Sequence, residues 1–61
     1  MNKEQTIDFI IESITEHYYE LGDNSGMTKE QVDEIVDKSN STIVNFAISL
    51  YSKMKEKNLI V

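Results

Sequence analysis

The chain contains no cysteine, no proline and no arginine, and only two glycines and one alanine, Ala47, among its 61 residues. Without cysteine there is no disulfide to staple the fold, no thiolate metal site and no cysteine nucleophile. The absence of proline argues for a folded chain over a disordered tail. No apolar run exceeds three residues, Phe9-Ile10-Ile11 being typical, so no membrane span is expected. Met1 to Gln5 carry no apolar stretch of the signal-peptide kind, and the expected location is the cytoplasm. A chain of this length forms one small domain that buries only about 60% of its unfolded surface. Two routes to useful stability remain: well-packed helices, or association with a second chain.

What the sequence does have is apolar residues at 39%, charged residues at 28% and a net charge of −5, the composition of a folded chain. The charge is lopsided. Residues 1–37 carry ten acids against Lys3 and Lys29, whereas residues 38–61 carry Glu56 against Lys38, Lys53, Lys55 and Lys57. Such a field discourages nucleic acid and anionic membranes. Eight isoleucines and five asparagines, beside the missing arginine and proline, suggest AT-rich coding, as in a low-GC bacterium or one of its phages.

Periodicity points to an all-α fold. Ile7, Ile10, Ile11, Ile14, Tyr18 and Leu21 share one face at helical spacing. Asn2 with Gln5 offers a capping box, and Gly22 suits the left-handed residue after a helix. These signals predict a helix over about 3–21 and a loop over 22–27. Thr28 with Gln31 forms a second capping box, with Met27 stapling onto Val32. Val32, Val36, Ser39, Ile43, Phe46 and Leu50 then keep heptad phase. Within Lys38 to Thr42, Ser39, Asn40, Ser41 and Thr42 are four poor helix formers in succession, costing roughly 2 kcal/mol in summed propensity, so a kink there, or a compact three-helix domain, is the alternative. The in-phase seam favours one long helix over about 29–57.

A helix of about 28 Å folded against one of about 43 Å leaves part of the longer one uncovered. The expected overhang begins near residue 47, and Val44, Ile48 and Tyr51 form a second apolar face. A helix apolar on two faces needs cover on both. Two copies joined as a homodimeric four-helix bundle would supply it, through Val44, Ala47, Ile48, Leu50, Tyr51 and Met54.

Candidate chemistry is sparse. His17 is the only imidazole, and the residue three before it is Ile14 where a di-metal bundle wants Glu. Asp33, Asp37, Glu30 and Glu34 line a helix face, which a solvated helix N-terminus explains without a site. If Gly26 were the sixth residue of a calcium loop, Leu21 and Val32 would fall at ligand positions one and twelve, and neither is a ligand. No cofactor, metal or catalytic residue is expected. The size, the hairpin and the Gly26-Met27-Thr28 start resemble short bacterial helical hairpins that dephosphorylate response-regulator aspartates. Those carry Ser-Gln-x-Leu-Asp on the second helix, whereas Ser39-Asn40-Ser41-Thr42-Ile43 keeps only the serine and lacks the Asp, so that activity is not carried over.

Phe9 and Tyr19, set among Glu12, Glu16 and Glu20 on the side of the first helix away from the isoleucines, read as a contact surface. The resulting expectation is a small, acidic, non-enzymatic homodimer that binds and inhibits or regulates a larger host protein. In its most concrete form it is a phage or mobile-element product that blocks a bacterial defence protein. The alternative is a dimeric transcriptional or antitoxin-type regulator touching DNA through Lys53, Lys55 and Lys57.

Overall fold

The computed structural model describes residues 1–60, which form two helices folded back on each other, with no strand among the described residues. Helix α1 runs over Lys3–Asn24 and α2 over Lys29–Glu56. Both start where the sequence places them. The Asn2 side chain accepts from the Gln5 amide at 2.8 Å and the Gln5 side chain accepts from the Asn2 amide at 3.1 Å. Thr28 and Gln31 repeat the exchange at 3.2 and 2.8 Å. Each box satisfies two amides that a helix start would otherwise leave without partners.

The end of α1 differs from expectation. Gly22 does not terminate the helix; it is a buried helical residue, and the helix continues to Asn24. The left-handed position belongs to Gly26, at φ 77°. There the Met27 amide donates back to the Gly22 carbonyl at 2.9 Å and the Gly26 amide to Asp23 at 3.1 Å, the paired bonds of a Schellman ending. Gly22 is needed for a different reason. A Cβ at this position would overlap Cγ2 of Val32, so the absence of a side chain lets the two helices approach closely beside the turn. Asn58, at φ 59°, ends α2 in the same manner, with Leu59 donating to Met54 at 2.9 Å and Asn58 to Lys55 at 3.1 Å.

Helix α2 is continuous through Lys38–Thr42, and no third helix forms among the described residues. Buried Val32 on one side and Ile43 on the other fix both halves against α1, so tertiary packing overrides the weak local propensity. An ion pair from Lys38 to Glu34 at 3.0 Å spans one turn at its start.

Among the described residues the buried apolar side chains are Ile10, Val32, Ile43, Ala47 and Tyr51, with Thr6 and Gly22 beside them. Thr6 is satisfied by donating its hydroxyl to the Asn2 carbonyl at 2.9 Å. Two expectations need correction. The anticipated seam passes through Phe46, but Phe46 is 57% exposed and its neighbour Ala47 is fully covered. The line of closest approach thus follows Ile43, Ala47 and Tyr51 at i, i+4 spacing, the ridge along which helices commonly interdigitate. The smallest apolar side chain in α2 is the most fully covered, and the largest beside it is turned out. Nor is there an overhang from residue 47. The Lys3 ammonium lies 5.8 Å from the Tyr51 ring centroid, so α1 reaches nearly the full length of α2. Ala47 and Tyr51 are therefore covered within one chain and are not free for a second. Leu21, expected on the core stripe, is more than half exposed.

This packing predicts that Gly22→Ala destabilises the fold by about 1–3 kcal/mol, through overpacking against Val32. Denaturant titration should find Gly22→Ala and Val32→Ala coupled, because the second removes the methyl that the first strikes. Strict additivity would mean that the helices do not touch there. Thr28→Ala should cost about 1 kcal/mol by removing the cap of α2; unchanged stability would place the start of that helix elsewhere.

Candidate functional site

The surface assigned from sequence to partner binding divides into two parts. Phe9, Glu12, Glu16 and Glu20 are exposed on the outer side of α1, with Phe9 at 60%. Glu20 faces His17 at 3.8 Å, an ion pair when the imidazole is protonated. The other ion pairs among the described residues are Lys29–Asp33 and Lys38–Glu34, both within α2. Glu12 and Glu16 therefore stand without a cation. Phe9 leans toward the open end of the hairpin, sharing a shallow recess with Met1, Thr6, Met54 and Ile60.

Tyr19 does not belong to that face. It is half-buried on the flank between the helices, where its hydroxyl donates to a carboxylate oxygen of Asp33. Lys29 completes the group from 3.5 Å on the other oxygen. Tyr19, Asp23, Met27, Lys29 and Val32 surround one recess next to the turn. The Tyr19 bond is the first cause of an Asp33 pKa below the ordinary carboxylate value; Lys29 adds to it and partial burial opposes it. The same bond holds the Tyr19 phenol above its ordinary value, with burial and the Asp33 charge acting in the same direction. Tyr19 is thus a polar tie between α1 and α2, not a free aromatic anchor. Helical phase put it near Glu12 but carried no information about which acid of α2 would face it.

The residues expected at a dimer interface are similarly divided. Ala47 and Tyr51 are in the intramolecular core; Val44, Leu50 and Met54 are half-buried; Ile48 is exposed. By helical phase Val44 and Ile48 lie on the flank that also carries Tyr19 and Asp33, and Leu50 lies on the other.

That other flank holds a feature the sequence reading missed. Ile14, Tyr18, Thr42, Ile43 and Phe46 border one shallow groove between the helices. Ile14 and Tyr18 continue it toward the turn with His17 and Leu21, and Phe46 continues it toward the open end with Ser49, Leu50 and Lys53. The result is an apolar strip running from Leu21 to Leu50 across both helices. Its signal is in the wheel positions of Leu21 and Phe46, which the apolar periodicity assigns to the core and which the fold leaves exposed. No group of three or more His, Asp or Glu side chains converges as a metal site among the described residues. No described helix is long and apolar enough to cross a membrane.

Compared with protein-family models, with curated proteins and with solved structures, the chain gives no match.

The Tyr19–Asp33 tie has a definite pH signature. A carboxylate whose folded pKa is depressed contributes stability above its unfolded pKa, and that contribution disappears as pH falls through the folded value. A phenol whose folded pKa is raised contributes below its unfolded pKa, and the contribution is lost as pH rises through the folded value. The tie is therefore fully made around neutrality and weakens at both extremes. In Tyr19→Phe, NMR titration should find the Asp33 carboxyl protonating at higher pH than in the wild type. An unchanged Asp33 titration would mean that the bond does not form in solution.

Proposed function

We propose that this chain is a small acidic, non-enzymatic binding protein that acts as a homodimer and inhibits or regulates a larger protein. The observation that carries the reading is the outer face of α1. Phe9 is 60% exposed there beside Glu12, Glu16 and Glu20, and neither Glu12 nor Glu16 has a cation partner among the described residues. An exposed aromatic supplies large contact area at low entropic cost. The free carboxylates around it steer encounter with a basic surface. Support for a homodimer comes from the exposed apolar side chains of a chain this small, Leu21 and Phe46 among them.

In its most concrete form the reading is of a phage or mobile-element product directed against a bacterial defence protein. The small size and the AT-rich composition support that form, and they support no particular target. Phe9 rather than Tyr19 is the aromatic anchor, because Tyr19 is already engaged with Asp33.

The experiment is affinity capture from a low-GC bacterial lysate on immobilised protein, followed by purification of whatever is retained and titration against the wild type and a variant. Phe9→Ala combined with Glu16→Lys changes two exposed positions and should leave helicity intact. It should weaken binding at least about tenfold, or roughly 1.4 kcal/mol, and wild-type affinity should fall as salt rises. Equal affinity of variant and wild type would remove this face from the account. Failure to retain any protein specifically would contradict the binding role itself.

A further inference from the structure

The hairpin exposes more surface in total than a compact chain of its mass, and the strip from Leu21 to Leu50 is a continuous apolar part of it. The accessible surface is 4891 Å² for a mass of 7.0 kDa. Folded monomers of that mass expose about 4,000 Å² by the usual size scaling. The excess, roughly 850 Å², is close to the share of about 800 Å² that each partner contributes to a stable interface of standard size. Moreover, no large side chain among the described residues is fully enclosed, so the fold has little core of its own to rely on. Cover for the strip must be available whenever the chain is, and a second copy meets that condition.

Charge chooses the orientation. The half of the hairpin nearest the turn, residues 13–42, carries seven acids against Lys29 and Lys38, a net −5. The half nearest the termini carries four acids against four lysines, a net of zero. Two hairpins set side by side with their turns together would face −5 with −5. Reversing one puts the acidic half of each beside the lysine-bearing half of the other. Lys53, which borders the strip at its open end, then approaches Glu20, which faces His17 at the strip's turn end. The axial register also allows it. Gly22 lies against Val32 and Lys3 over Tyr51, so Thr42 sits about midway along the strip. A two-fold axis near Thr42 brings Leu21 onto Leu50 and Tyr18 onto Phe46, each apolar group meeting another, as an isologous contact requires.

We propose that the strip Leu21–Tyr18–Ile14–Phe46–Leu50 is the interface with a second copy of this chain, packed antiparallel so that the turn of one lies beside the termini of the other. The proposal rests on the homodimer in the function proposed above and adds to it a face and a direction. It leaves Glu12 and Glu16 outside the contact and free for a larger partner, with Phe9 beside the strip at the open end, where it shares a recess with Met54.

Disulfide trapping tests it in a protein that has no cysteine of its own. Under mild oxidation Thr42→Cys should link to itself in most chains, and Leu21→Cys alone should not. Leu21→Cys mixed with Leu50→Cys should give the mixed dimer. In parallel, light scattering at micromolar concentration should give a dimer mass for wild type and for Ile48→Glu, on the opposite flank. Phe46→Glu, at a position already exposed in the single chain, should raise the dimer dissociation constant at least tenfold while circular dichroism at high concentration stays helical. Self-linking of Leu21→Cys would overturn the antiparallel direction. A dimer abolished by Ile48→Glu and untouched by Phe46→Glu would overturn the face while leaving the homodimer standing. A monomer mass for the wild type would overturn the homodimer and the interface together.

Discussion

The structure depends on how closely two helices approach along a line of small residues. Gly22 on α1 lies on that line beside the turn and Ala47 on α2 lies nearer the open end; a Cβ at Gly22 would overlap Val32, and Ala47 is fully covered. Close approach lets Val32, Ile43 and Ile10 fill the space between the helices, and dispersion is gained only at contact distance. The same constraint has a cost. A line of small residues encloses little volume, and the larger side chains next to it, Phe46 above all, are turned outward. The exposed strip follows from the tight seam.

Much of this fold was legible. Two capping boxes, Asn2 with Gln5 and Thr28 with Gln31, marked both helix starts, because a cap is a local pattern that needs no tertiary information. Continuity through Ser39-Asn40-Ser41-Thr42 was readable from phase alone, since Val32 and Ile43 stay on one face. What failed were matters of tertiary distance. Gly22 reads as a helix ending when only its freedom of φ is considered, and only the position of Val32 shows that its missing Cβ matters more. Phe46 and Ala47 are 100° apart on the wheel, so an apolar pattern alone favours the bulkier one as the core residue. How near α1 comes decides for the smaller.

The candidate surfaces fared less evenly for the same reason. The exposure of Phe9, Glu12, Glu16 and Glu20 follows from their lying opposite the isoleucine face of α1. Tyr19 lies toward the second helix, and its engagement with Asp33 depends on how far α1 rotates against α2, a quantity that neither helix encodes by itself. The division of Val44, Ala47, Ile48, Leu50 and Tyr51 among core and two flanks has the same origin. The inner line folds the hairpin; in the proposals made above, the Leu21–Leu50 flank would pair it and the outer side of α1 would meet a larger partner.

The central claim is that one hairpin lacks enough enclosed core to stand alone and draws stability from a second. The dependence of thermal unfolding on protein concentration tests it most directly, because unfolding coupled to dissociation obeys mass action. Scans of the wild type over a hundredfold range, from about 1 to 100 µM, should find the midpoint rising steadily with concentration. A midpoint independent of concentration, with cooperative unfolding throughout, would mean that the single hairpin is self-sufficient and would contradict the account.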